Sequence, residues 1–418
     1  MSLYDKASLT MTPSGVKNAK IYSNKPYGGN GDFTFARSSI ATRVNSDGYI
    51  ENVVVDEPRL NYSIVNGIVQ DNPSLLLEPA RTNSITYSED FSNVYWTKSG
   101  TTVVGGQLSP TGNTDAFKLV EDTSTGHFIR RSNVSIVAGM KTMSIFAKAA
   151  GRDWILLWNG VDNSGRYFNI KDGYIGGTRS GTPVNSSIDD IGNGWYRCSM
   201  TINSSGTTFQ NQIYLSNADG SFSYTGDGTS GVYIYGSQLE QGSYATSYIP
   251  TSGSAVTRVA DVCNNGGNEQ VFNDSEGVLY AEISALADLD DTRYIALNAG
   301  TNFVNSLLIQ YRNSGELRLY NGGTSTAQMI YRDTSLDLSE NIKIAIKYGT
   351  TSSSYKVYIN GFSKTIESTF VATDMSGLDN LKFTDVNGYG SPFYGSTKQI
   401  QYFDSALTDA ELAALTTI

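Results

Sequence analysis

Apolar and polar residues alternate with a period of two along most of this chain. In Asn341–Tyr348, NIKIAIKY, the residues Ile342, Ile344, Ile346 and Tyr348 share one face, and Lys343, Ala345 and Lys347 share the other. Side chains on a strand point alternately to opposite sides, so this spacing predicts a strand with one buried face. Tyr355–Gly361, YKVYING, alternates in the same way and ends in Asn-Gly, the dipeptide that tolerates the left-handed conformation a tight hairpin needs. Leu308–Leu319, LIQYRNSGELRL, predicts a hairpin around Asn313-Ser314-Gly315, and TMSIFAKAAG, DWILLWNG, RYFNIKDG and WYRCSMTI read as further strands. Helical periodicity is nearly absent until the end. There, Leu407–Leu415, LTDAELAAL, places Thr408 three residues before Glu411 as a capping box, with Leu412 and Leu415 as the apolar stripe of a short helix.

Composition sharpens this into a fold class. The chain has 418 residues, of which 39% are hydrophobic and only 17% charged, with 42 glycines. The usual charged fraction is about 25%. A polar, weakly charged, turn-rich chain with many Tyr and Thr suits half-buried pleated sheets. The expectation is an all-β protein: two β-sandwiches of jelly-roll type after a loop-rich N-terminal module, closed by a short C-terminal helix. Boundaries fall at residues 1–82 for the module, 83–262 for the first sandwich and 263–418 for the second. The first run of strands ends with VYIYGSQLE and the Pro/Ser joint TSYIPTSGS. Short SGTT and GGT elements recur without a fixed period, so no repeat array is expected.

Charge and rare residues exclude several chemistries. A formal net charge of -10 and no basic stripe argue against nucleic acid and anionic membrane surfaces. No run approaches the ~18 apolar residues of a membrane span, and MSLYDKASLTMTPSG has no apolar stretch of signal-peptide type, which predicts synthesis in a cytoplasm. Two cysteines, Cys198 and Cys263, and one histidine, His127, supply neither a disulfide framework nor a zinc ligand set. Any Ser-His-Asp or Cys-His mechanism would rest on His127, in STGHFIRR, which reads as an ordinary surface or strand histidine. No glycine-rich phosphate loop links a strand to a helix.

Three sets of residues carry candidate chemistry. In LLLEPARTNSITYSEDF an apolar run enters Glu78 and Arg81; with Arg37 these form a charge clasp that satisfies a loop-rich module. Catalysis would require a second carboxylate held ~5–10 Å away in a cleft, and the nearby Glu89 and Asp90 sit in what reads as a solvated loop. Trp154, Leu156 and Trp158 share one strand face, with Ile155 and Leu157 opposite. Either one face is core and the other a sugar-stacking platform assisted by Asn159, Asp162, Asn163, Arg166 and Tyr167, or both faces are plain core. Alternation through WYRCSMTI groups Tyr196, Cys198 and Met200 and turns Trp195 with Arg197 to the other side, which exposes Trp195 or tucks it under the Gly192-Asn193-Gly194 turn. The candidate glycan-binding residues are therefore Trp154, Trp158, Asn159, Tyr167 and Trp195.

GDFTFARSSIATRVNSDGYIENV, EPRLNY and LLLEPARTNSITYSEDF together resemble a module of bacteriophage tail-fibre and head-fibre proteins, over roughly Ser2–Trp96. NGWYRC and GVYIYGSQLEQGSYATSYIPTSGSAVTRVAD resemble the carbohydrate-binding-module-like sandwich that follows it in such proteins. VLYAEISA, the Tyr358–Gly361 turn and FDSALTDAELAAL are similar to concanavalin A-like, laminin-G-type lectin domains. The resemblance implies a non-enzymatic virion-surface protein anchored by residues 1–82 and recognising host surface polysaccharide. Its implied partners are other virion proteins and sister chains, commonly three, with no nucleic acid and no membrane insertion. Its implied rivals are a decoration protein that binds no sugar and a polysaccharide depolymerase. No cofactor is implied. Some laminin-G-type domains hold calcium, for which Asp288–Asp291, DLDD, is the candidate, although calcium needs six to eight oxygens and DLDD reads more simply as a solvated acidic turn.

Overall fold

The computed structural model describes every residue except 1, 287–290, 301–302, 304, 323–326 and 388–389. The Asp288–Asp291 calcium candidate falls almost wholly outside the described residues. The fold is nearly all β, as the alternation predicts.

One sandwich is built from a single stretch of chain. Its first sheet runs, in spatial order, Thr97–Ser99, Phe128–Ser135, Thr208–Ser216, Trp154–Asn159, Ser164–Asn169 and Tyr174–Thr178. Its second runs Thr101–Gln107, Ala116–Glu121, Gly231–Gln241, Gly139–Ala150, Tyr196–Ser204 and Asn185–Asp190. Every second side chain points inward, so Met143, Ile145, Ile155, Leu157, Cys198, Met200, Ile213 and Ile234 meet in one core.

The other sandwich is woven from both ends of the chain. Its larger sheet centres on Gly395–Phe403, which pairs with Gly277–Ala285 and also with two N-terminal strands, Leu9–Met11 and Ser74–Leu77. Leu9, Met11, Ile21, Phe33, Phe35, Leu75 and Leu77 lie in the same core as Ile342, Ile344, Ile346, Tyr348 and Ile400. The expected boundary at residue 82 therefore does not separate two cores. Residues 1–82 complete the C-terminal sandwich, because their short apolar strands have too little area to bury among themselves. The contiguous sandwich is an insertion into this base. Chain enters it through Arg81–Asn83 and leaves through Val256–Arg258, and these two strands pair antiparallel to form a neck.

Local predictions hold in detail. Ile342–Tyr348 is a strand whose Ile342, Ile344 and Ile346 are buried. The Asn360-Gly361 turn has φ of 51° and 86°, the left-handed pair that links Lys356–Ile359 to Phe362–Lys364. Asp409–Thr416 is the C-terminal helix, with the Thr408/Glu411 capping box formed on both sides. Leu412 buries against Val278, Tyr280, Ala345 and Tyr358 on the outer face of the base. Lys343 and Lys347, on that same outer face, donate to the Thr417 and Leu407 carbonyls at either end of the helix, at 2.7 and 2.9 Å.

Candidate functional site

The neck is sealed by buried charge. The Glu78 carboxylate accepts from the guanidiniums of Arg59 and Arg258 and from the Ser247 N–H at 2.7 Å and hydroxyl at 2.6 Å. Asp261 accepts from the Glu78 N–H at 2.7 Å, from Arg37 at 3.2 Å and from Arg59. Arg37 also donates to the Ser39 and Val54 carbonyls. All five charged side chains are at most 3% exposed. Burial alone would raise the Glu78 carboxyl, but the adjacent Arg258 and Arg59 charges and the Ser247 donors hold it well below the usual carboxylate range. The network joins the two ends of the neck to strands of the base, and Glu78 also borders a pocket lined by Asp189, Asp190, Arg197 and Thr246. Of the three residues expected here, Arg37 and Glu78 are members. Arg81 is not: it lies 3.9 Å from Glu240 and over the Tyr244 ring.

The outer face of the first sheet carries a second constellation. Trp154, Leu156 and Trp158 point away from the main core, while Ile155 and Leu157 point into it. Both indoles lie over cross-strand glycines: a Cβ on Gly165 would stand 2.6 Å from Trp158, and one on Gly176 would stand 2.6 Å from Trp154. The cross-strand neighbours Tyr167 and Tyr214 flank Leu156, so aromatic side chains form a continuous band. The Arg179 guanidinium lies 3.8 Å from the centroids of both Trp158 and Phe222, sandwiched between the rings. A cation on an aromatic face is stabilised by the ring quadrupole, by ~0.5–2 kcal/mol. Trp154 meets Tyr174 edge to face at 5.4 Å, and Tyr174 is 49% exposed.

The residues named from sequence separate into accessible and buried. Trp154 is half-buried at the edge of the band. Trp158 and Tyr167 are buried beneath Arg179 and the Asn217–Phe222 turn and form its floor. Asn159 is fully buried and holds the following turn, accepting from the Val161 and Gln210 N–H groups and donating to Asp162. Trp195 is not exposed. It packs with Phe146, Tyr235 and Tyr248 against Ile50 of the N-terminal segment, so its outward face is an interface within the chain. Arg197, beside it, is likewise buried and donates to the Thr246 carbonyl. Sequence reasoning missed Arg179, Tyr174, Tyr214 and Phe222; the Gly-rich spacing of YIGGTR, which leaves room for large rings on the neighbouring strand, is the signal that could have found them.

Other candidates resolve simply. His127 is fully buried just before a strand, its ring nitrogens 2.9 and 3.1 Å from the Gly100 and Tyr224 carbonyls, rather than at the surface. Glu89 is not a solvated loop acid but accepts from the Tyr235 and Tyr248 hydroxyls, at 2.8 and 3.2 Å. Cys198 and Cys263 lie in different cores, where burial pushes both thiols up. Among the described residues, no group of three His, Cys, Asp or Glu side chains is placed to hold a metal ion, and no helix is long and apolar enough to cross a membrane.

No family model matches the chain, and no curated protein matches it. Similar solved structures include the CBM40 module of Ruminococcus gnavus IT-sialidase bound to α2,3-sialyllactose, at 20% identity over 36% of this chain and 86% of that one, with a TM-score of 0.29. The leech intramolecular trans-sialidase is similar at 17% identity over 36% of this chain and 24% of that one, with a TM-score of 0.30. Mouse laminin α1 domains LG4-5 are similar at 9% identity over 81% and 91%, with a TM-score of 0.23. Carbohydrate-binding-module and laminin-G sandwiches are thus both represented, at scores that describe no shared overall fold.

Proposed function

We propose that this chain is a non-enzymatic glycan-binding protein of a bacteriophage virion, of the tail- or head-fibre type, displayed on the particle surface. The observation that carries the glycan reading is the outer band of Trp154, Tyr174, Arg179, Tyr214 and Phe222. Sugar rings stack on aromatic faces, and placed polar groups then fix orientation. Here the exposed Asp219 carboxylate, held by the Gly177 N–H at 2.9 Å, stands beside the Trp154 ring. The virion reading is supported by the resemblance of the N-terminal segment to phage fibre modules; that segment completes the base from which the inserted sandwich stands. A single shallow site becomes useful by repetition, since avidity multiplies affinity by ~10²–10⁴. Host surface polysaccharide and neighbouring virion proteins are the partners under this reading.

The test is binding of the purified protein to host cells before and after periodate oxidation of their glycans. Saturable binding that periodate abolishes, and that Trp154→Ala weakens at least tenfold with an unchanged melting temperature, is the expected result. Binding unaffected by both treatments would overturn the reading in favour of a decoration protein, and release of oligosaccharides from host polysaccharide would replace it with a depolymerase.

A further inference from the structure

Arg81 leaves the clasp and lines a pocket of its own beside the neck, together with Ser84, Ser135, Val137, Lys141 and Gln241. Lys141 occupies a core-facing position at the start of its strand, in phase with Met143 and Ile145, and is 2% exposed. A lysine there runs its aliphatic stem along the apolar edge and brings the ammonium to the pocket. Its hydrogen-bond acceptor is the carbonyl of the preceding Met140, at 3.3 Å, and it has no ion-pair partner among the described residues. An ammonium carries three donors, so two lack an acceptor among the described residues.

Arg81 is little better satisfied. Its Nε is buried without a hydrogen-bond partner, and the side chain is 17% exposed. The nearest carboxylate, Glu240 at 3.9 Å, is already engaged by Gln238 and by the Thr246 N–H and hydroxyl. Across the neck ladder Arg81 stands directly opposite Arg258, whose own charge is already met by Glu78. Gly242, whose Cβ would fall 2.8 Å from the Arg81 guanidinium, leaves that group its space. Two poorly compensated cations in a chain of net charge -10 are an unusual concentration of positive potential. Burial also lowers the Lys141 amine, as a desolvated cation without a counter-ion should behave.

We infer that this neck pocket binds an oxyanion carried on a hydroxylated ligand, the carboxylate of an acidic sugar. Arg81 and Lys141 hold the carboxylate; the Ser84 and Ser135 hydroxyls and the Gln241 amide face the sugar hydroxyls, and Val137 supplies an apolar wall. The choice of a sugar as ligand rests on the proposed glycan function, whereas the oxyanion chemistry stands on these residues alone.

The experiment is calorimetric titration of the full chain with glucuronate, glucose and acetate, repeated on Lys141→Met and Arg81→Gln. Lys141→Met keeps the buried stem and removes the charge; Arg81→Gln tests the site should the first variant not fold. Glucuronate binding at least tenfold tighter than glucose or acetate, with at least a tenfold loss in each folded variant, is expected. Glucuronate bound no better than glucose, or bound equally well by both variants, would overturn the assignment. Glucuronate bound no better than acetate would overturn its sugar component. Selective glucuronate binding by a protein that ignores host cells would uphold this pocket while the receptor function fell.

Discussion

The two sandwiches are built from similar strands by opposite routes. The inserted one takes its strands from one uninterrupted stretch, so each inward-facing residue finds partners within about 150 residues of sequence. The base takes Leu9–Met11 and Ser74–Leu77 from one end of the chain and Gly277–Ala285 and Gly395–Phe403 from the other. Similar alternation thus yields a unit that is self-sufficient and a unit that is complete only when both termini are present. The position of a strand in the sequence does not say which core it serves.

Truncation breaks this comparison most severely. The N-terminal segment supplies Leu9, Met11, Ile21, Phe33, Phe35, Leu75 and Leu77 to the base. At roughly 1.5–3 kcal/mol for each buried side chain, their loss matches or exceeds the ~5–15 kcal/mol that a whole domain has to spare. A chain of residues 263–418 alone should show no cooperative thermal transition by circular dichroism, whereas residues 83–258 alone should retain one. A folded 263–418 fragment would show that the base is not a joint product.

The clasp offers a smaller break. Glu78→Gln leaves the Arg258 charge buried without its paired carboxylate and Arg59 with Asp261 alone, and removal of one partner from such a network costs about 3–5 kcal/mol. Urea denaturation should show that loss. The same carboxylate sets an acid limit. Its folded pKa lies below the unfolded value of about 4.3, so its contribution is complete above that pH and is lost as pH falls through and below it. Wild type should therefore lose stability from about pH 5 downward, and the Gln variant should lose less over that interval. Parallel pH profiles would show that Glu78 is not the group responsible. Least disruptive is Thr408→Ala, which removes the helix cap on the outer face of the base and should cost about 1 kcal/mol without altering the inserted sandwich.

How much was readable depended on how far apart the partners lie in sequence. The strands at Ile342–Tyr348 and Lys356–Ile359, the Asn360-Gly361 turn and the Thr408 cap are decided by residues within a few positions of one another, and all are where alternation and capping place them. The clasp was half-visible. Glu78 and Arg37 announce charge in an apolar setting, but Arg258 and Asp261 reach Glu78 across 180 and 183 positions, and no spacing rule spans that interval. Proximity in sequence favoured Arg81 instead, and that side chain lies against Glu240 and the Tyr244 ring. Trp195 shows the same limit in another form. Alternation gives the correct face, yet Ile50 covers that face from a segment nearly 150 residues upstream.

Gly395–Phe403, the strand at the centre of the base, also sets a timetable for synthesis. Leu9–Met11 is made well before its partner residues Ile400–Tyr402, which follow roughly 390 positions later. At ~5–20 residues per second, that strand waits about 20–80 s for its neighbour. The inserted sandwich is complete well before then. The growing chain therefore carries one finished sandwich while Leu9–Met11 still lacks its sheet neighbour, which Gly395–Phe403 supplies.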